Sequence, residues 1–237
     1  MIETVGEIGS TNAALLGRLA AGEAALEGDW LVADRQVAGR GRAGRSWSDG
    51  FGNFMGSTVA HLRSGDPLPQ TLALVAGLAA QKAVTALVAD LAGLVLKWPN
   101  DLLVEAAKLA GILLERQGDA VVVGIGVNLA QAPDLADRRT ASLAGLGFPV
   151  ARDAFAEALA QEWAWALTRW HCGEWPALRQ EWLARAMPVG SLISVHDREH
   201  GLVMGALGGI DNDGVALLRL ADGATRAIHA GDIDLVG

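Results

Sequence analysis

Residues 94–129 read LVLKWPNDLLVEAAKLAGILLERQGDAVVVGIGVNL. Leucine, valine and isoleucine gather there into four short runs, 94–97, 101–105, 108–116 and 120–129, parted by only two or three residues. Parallel neighbours need a crossover of about a dozen residues or more, so connections this short dictate mainly antiparallel pairing. Upstream, residues 67–92 are apolar almost all round, with Gln70 or Thr71 near the start and Gly93 past the end. That pattern predicts a central buried helix. Residues 30–36 and 53–62 read as two more strands. In residues 13–21, Leu15, Leu16 and Leu19 fall at helical spacing, behind a cap drawn from Ser10, Thr11 and Asn12.

Downstream, residues 130–147 are polar and irregular, and Asp153 opens a helical region that holds five of the eight tryptophans. Phe155, Leu159, Trp163, Leu167 and Trp170 share one helix face, and Pro176 starts a second helix. Core packing is the reading of this stripe. Composition changes at Pro188-Val189-Gly190, after which short runs at 192–196, 202–210, 215–220 and 225–228 are divided by turns such as Asp211-Asn212-Asp213-Gly214. The fold class predicted is α+β: a mixed, mainly antiparallel sheet with flanking helices over residues 1–187, then a small SH3-like β-barrel over residues 188–237.

The 237 residues carry a formal net charge of -8, are 51% apolar, and contain no apolar stretch of the roughly 20 residues that spans a bilayer. The acidic N-terminal segment, with Glu3 and Glu7 and no Lys or Arg before Ser10, lacks the charge of a secretory or transit peptide. A cytoplasmic location is therefore expected. A single cysteine, Cys172, excludes an internal disulfide and a Cys-rich metal site, and its tryptophan neighbours suggest a buried thiol. Against this acidic background, residues 39–47 set Arg40, Arg42 and Arg45 between Gly39, Gly41 and Gly44. Cationic side chains and open backbone N–H groups can then turn together toward a phosphate or carboxylate.

Only three lysines occur; Lys97 opens Lys97-Trp98-Pro99-Asn100-Asp101, and Lys108 opens Lys108-Leu109-Ala110-Gly111. The glycine loop follows a strand but precedes no helical pattern, which fails the context of a dinucleotide-binding turn. An arginine loop, a lysine and an Asn-Asp pair can instead let one anion attack another. Activating a carboxylic acid with ATP needs just that, because carboxylate and α-phosphate repel until cations neutralise them.

These motifs, with Gln36, Gly124-Ile125-Gly126-Val127-Asn128 and Gly231-Asp232-Ile233, resemble in their order the biotin protein ligases, in the catalytic and C-terminal domains of bacterial biotin-[acetyl-CoA-carboxylase] ligase. The resemblance implies a class II synthetase-like catalytic fold, ATP with Mg²⁺, biotin as substrate, and transfer from biotinyl-5'-AMP to a lysine of a biotin carboxyl carrier protein. It implies that Ser10, Thr11, Asn12, Gln36, Gly39, Arg40, Gly41, Arg42, Lys108 and Gly111 bind biotin. Arg42, Arg45, Trp47, Asn100 and Asn128 would bind ATP, with Lys108, Arg40 and Arg42 catalytic. Asn12 is equally readable as a helix cap. No protein metal ligand is assigned: Lys97 and Asp101 each read as a member of a structural ion pair or, for Asp101, as orienting Mg²⁺.

Two departures accompany the resemblance: residues 49–53 lack the proline often found there, and the chain has no tyrosine. Ser10 stands too near Met1 for an N-terminal winged helix-turn-helix, which implies the monofunctional type. The resemblance leaves a homodimer through the sheet open. Rival readings are a lipoate ligase or octanoyltransferase of the same superfamily and, more remotely, a nucleic-acid-binding module using the Arg/Gly segment. If Arg35 also lies near, four cations would repel, and residues 39–47 should be mobile until biotin or its adenylate binds.

Overall fold

A computed structural model describes residues 1–48, 50–197, 201–229, 231 and 233–235. Its larger sheet has seven strands in the order β1-β2-β3-β7-β6-β5-β4. These are β1 (Ile2–Ile8), β2 (Trp30–Gln36), β3 (Phe54–His61), β4 (Leu94–Lys97), β5 (Asp101–Val104), β6 (Ala107–Gln117) and β7 (Ala120–Val127). Every pair is antiparallel except β1 with β2, which the helix α1 (Thr11–Ala20) joins as a crossover. Strand β1 is absent from the sequence reading, and it makes the sheet mixed.

The predicted central helix is α2 (Thr71–Leu87), starting where expected and ending short of Gly93. It packs with α3 (Arg152–His171) and α4 (Trp175–Leu183) on one face of the sheet. Alternation along the strands divides the cores. Trp30, Val32, Phe54, Ala60, Val121 and Val123 face the large helical layer, while Leu31, Val59, Ala120 and Val122 face α1 with Leu15. Both faces of β3 are thus covered, which is why seven of its eight residues are buried.

The aromatic stripe of α3 is core as expected: Phe155, Leu159, Trp163, Leu167 and Trp170 are all buried. Trp165 is not, being 46% exposed; the Lys82 ammonium stands 3.9 Å and the Arg169 guanidinium 4.3 Å from its ring centroid. Both cations also hold Glu181, at 2.8 and 2.6 Å, so one carboxylate ties α2, α3 and α4. Cys172 corrects the reading of a buried thiol, because it follows the end of α3 and is exposed.

The C-terminal sheet is antiparallel, in the order β11-β10-β9-β8-β12. Its strands are β8 (Leu192–Asp197), β9 (Gly201–Ile210), β10 (Ala216–Arg219), β11 (Thr225–Ile228) and β12 (Ile233–Leu235). Of these only β12 went unread in the sequence, and Asp232 of the last motif lies outside the described residues. The β9–β10 turn seats against the helical layer. Trp98 Nε1 donates to Gly214 O at 2.9 Å and Trp175 Nε1 to Asn212 O at 2.6 Å. Lys97 reaches Asp234 at 3.7 Å, a structural ion pair that joins the two sheets.

The β5–β6 hairpin turns through Glu105 and Ala106, at φ of 46° and 62°. Two consecutive positive φ values suit Asn-Gly or Gly-Gly, and an alanine pays a steric cost there. Ala106→Gly is expected to raise unfolding stability by about 1 kcal/mol, read from the urea midpoint at unchanged slope; a lower midpoint would contradict this.

Candidate functional site

A break in one strand aims the key lysine. In β6, Ala110 pairs with Leu102 but Lys108 pairs with Leu103, so Leu109 is an extra residue in the ladder. Regular alternation would send Lys108 into the core beside Ala110 and Ile112; the bulge turns it to the opposite, α1-facing side of the sheet. Asp101, opposite Gly111, faces the same way and accepts from Lys108 Nζ at 2.6 Å. The Lys108 side chain is only 17% exposed.

On this face Gly111 pairs directly with Gly126 across β6 and β7. The missing side chains leave room above the sheet. A Cβ at Gly126 would lie 2.4 Å from Trp47 Cε2, and one at Gly111 3.1 Å from Lys108 Nζ and 3.0 Å from Trp47 Cζ3. The Lys108 ammonium stands 5.8 Å from the Trp47 ring centroid. Around this floor opens a cavity of about 370 Å³.

Every expected site residue except Gly39 lines that cavity: Ser10, Thr11, Asn12 and Gln36 on one side, Arg40, Gly41, Arg42, Arg45 and Trp47 from the loop, and Asn100, Lys108, Gly111 and Asn128 from the sheet. Gly39 is corrected. A Cβ there would meet Trp47 O at 2.7 Å, so its smallness lets the loop close on itself, and Trp47 N donates to Gly39 O at 3.0 Å.

The cap of α1 is Ser10, whose Oγ accepts from Ala13 N at 3.4 Å. Asn12 is therefore free of that task and points to the sheet, its Nδ2 donating to Glu115 at 2.9 Å and its Oδ1 accepting from Ser57 Oγ at 2.6 Å. Thr11 N donates to Gln36 Oε1 at 2.7 Å. Across the cavity Arg42 donates to Asn100 Oδ1 at 2.9 Å, while Asn100 Nδ2 donates to Ile112 O at 2.8 Å. Asn128 holds the carbonyls of Ala141 and Lys108, at 3.1 and 3.4 Å.

Three of the four cations have partners here. Arg35 pairs with Glu7 at 3.0 Å, Arg40 with Glu115 at 3.4 Å, and Arg42 with the Asn100 amide. Arg40, Arg42 and Arg45 line the cavity, and the exposed Arg35 and Arg40 each face a carboxylate, so these cations do not form the broad basic face that the nucleic-acid reading needs.

Sequence reasoning missed Ser57, Glu115, Asp137 and Arg138. Ser57, Asp137 and Arg138 line the cavity, and Glu115 bonds two residues that do. A hydrogen bond from Arg138, at 2.5 Å, holds the Asp137 carboxyl below its ordinary pKa against a smaller opposing effect of burial; Arg45 adds to the attraction.

Residues 8–129 match the biotin/lipoate A/B protein ligase family, and residues 193–236 match the biotin protein ligase C terminal domain. The chain belongs to the biotin protein ligases. The ligase is 37% identical to biotin--[acetyl-CoA-carboxylase] ligase of Mycobacterium tuberculosis, over 98% of this chain and 88% of the relative. It is 38% identical to the Paracoccus denitrificans enzyme of the same name, over 89% and 90%. The fold superposes on biotin protein ligase from Aquifex aeolicus in complex with biotin and ATP with a TM-score of 0.85 at 25% identity, over 99% of this ligase and 98% of that chain.

Proposed function

We propose that the ligase activates biotin with ATP and passes the biotinyl group to one lysine of a biotin carboxyl carrier protein, that of acetyl-CoA carboxylase or of a related biotin-dependent carboxylase. In the first step a biotin carboxylate oxygen bonds to the α-phosphorus and pyrophosphate leaves, giving biotinyl-5'-AMP. In the second the carrier's amine attacks the acyl carbon, loses a proton, and AMP departs. The observation that carries this reading is the bulge-aimed Lys108, set on the Gly111–Gly126 floor between the Ser10–Asn12 side and Asn100 with Arg42.

At that position its charge offsets both repelling anions where they meet. Thr11, Asn12 and Gln36, with Ser10, Arg40 and Gly41, are read as the biotin side. Arg42 and Arg45 are read as phosphate ligands, and Trp47, Asn100 and Asn128 as nucleoside contacts. No side chain acts as a covalent nucleophile.

Mg²⁺ is expected with ATP's phosphates. Asp101 and Asp137 each bond a cation already, and among the described residues no three His, Cys, Asp or Glu side chains cluster for a metal. The metal is accordingly read as arriving on the nucleotide. Residues 1–187 are read as the catalytic unit and 188–237 as an appended barrel, in a cytoplasmic protein. Among the described residues no helix is long and apolar enough to cross a membrane. A homodimer extending the sheet would use an edge, β1 or β4.

Pyrophosphate release with ATP, Mg²⁺ and either biotin or lipoate tests the reading. Turnover with biotin supports it, and turnover with lipoate alone overturns it. Two glycines of β7 separate the subsites. A Cβ at Gly124 would lie 2.2 Å from Asn12 Oδ1, whereas one at Gly126 would strike the Trp47 indole. Gly124→Ala is expected to raise KM for biotin about tenfold or more with KM for ATP little changed, and Gly126→Ala to do the reverse. Steady-state kinetics checks both; equal effects on the two substrates would reject this division.

A further inference from the structure

Glu115 has no role in the reading above, yet its carboxylate joins the loop to the biotin side. One oxygen accepts from Asn12 Nδ2 at 2.9 Å and the other lies 3.4 Å from Arg40 Nη1. Both oxygens of this carboxylate thus accept, from Asn12 and from Arg40. Asn12 must therefore turn its NH₂ group to Glu115 and its oxygen the other way, where Ser57 Oγ donates at 2.6 Å. A hydroxyl has one proton, and Ser57 has committed its own to Asn12. The 2.6 Å contact between Ser57 and Thr11 is then made with the Thr11 proton.

Thr11 Oγ1 also stands 3.1 Å from Gln36 Oε1, but the shorter contact takes its only proton, and Gln36 Oε1 has the Thr11 backbone N–H at 2.7 Å. Direction is thus fixed along the whole chain, from Thr11 to Ser57 to Asn12 to Glu115. All three relay residues are buried, where exchanging partners with bulk water is costly. Toward the cavity it lines, Thr11 Oγ1 has lone pairs to present and no proton.

We infer that Glu115 is a positioning residue: it sets the hydrogen-bond polarity of the Thr11–Ser57–Asn12 chain, so that Thr11 selects a ligand group that donates N–H over one that offers only oxygen. This rests on the biotin reading, in which the ureido ring supplies two such donors. Without the ionised carboxylate Asn12 can turn over, Ser57 can give its proton to Thr11, and Thr11 gains a proton for a ligand oxygen. Polarity is then adaptable, and the preference for N–H fades.

Calorimetric titration of the full chain with biotin, and with the two cyclic carbamates in which a ring oxygen replaces one ureido N–H or the other, tests this. The wild type is expected to prefer biotin over at least one carbamate by about 10- to 100-fold, the cost of two facing acceptors in a buried site. In Glu115→Gln and in Glu115→Met that ratio is expected to fall toward one, whatever happens to absolute affinity. Arg40→Gln, which loosens the loop but keeps the carboxylate, is expected to retain the ratio. A merely structural role for Glu115 would weaken all ligands alike, so an unchanged ratio in the two Glu115 variants overturns the inference. So does a wild type that binds both carbamates as tightly as biotin. A wild type that fails to bind biotin would overturn the biotin reading instead.

Discussion

Lys108→Ala is expected to lower the rate of biotinyl-5'-AMP formation by about 100- to 1,000-fold, the scale on which removing one preorganised charge-stabilising donor acts. The lysine carries a charge to the place where the carboxylate meets the phosphate, with one of its three N–H groups held by Asp101 at 2.6 Å. Removing it has a second consequence. Asp101, 13% exposed, is left without that cation and adds a negative charge near two anionic substrates. The double variant Lys108→Ala, Asp101→Asn should therefore recover part of the affinity for ATP while leaving the chemical step slow. Quenched-flow detection of the adenylate, beside circular dichroism to confirm the fold, separates the two effects. Normal adenylate formation by a folded Lys108→Ala variant would reject the assigned role.

Trp170→Ala is expected to destabilise the fold by about 3–5 kcal/mol. Its ring is fully buried between α3 and α2, and its Nε1 donates to Thr71 Oγ1 at 2.8 Å. Thr71 in turn donates to Leu68 O at 2.7 Å, so the hydroxyl that begins α2 is fixed by both. The loss is a large fraction of the 5–15 kcal/mol that typically holds a chain folded. Trp170→Phe keeps most of the packing and should cost about 1 kcal/mol through the lost hydrogen bond. Urea denaturation measures both, and an alanine variant within 1 kcal/mol of wild type would contradict the placement of this helix pair.

The antiparallel run β4–β7 was legible because its connections leave no room for crossovers, and the α3 stripe because five aromatic and leucine residues recur at helical spacing. Strand β1 was not. Its partly buried positions, Ile2, Val5 and Ile8, fall three apart and give no period of two, so only pairing with β2 through the α1 crossover defines it. The same contrast holds in the cavity. Arg40, Arg42, Lys108 and Asn100 stand in motifs, whereas Ser57 sits inside a buried strand and Glu115 near the end of another, each unremarkable until the α1-facing side of the sheet brings them to Asn12. Nor does the sequence signal the bulge at Leu109, although it decides which way Lys108 points. Cys172 shows the reverse error, in which sequence neighbours suggested surroundings that the fold does not supply.

The central claim is that one cavity makes an acyl-adenylate of biotin for delivery to a protein lysine. Intact-mass measurement of a biotin carboxyl carrier domain, incubated with the ligase, ATP, Mg²⁺ and biotin, tests it most directly. A single biotinyl addition, on one lysine, is expected, one that requires ATP and disappears with Lys108→Ala. An unmodified carrier in the presence of the wild-type ligase and all substrates, or modification that proceeds without ATP, would contradict it.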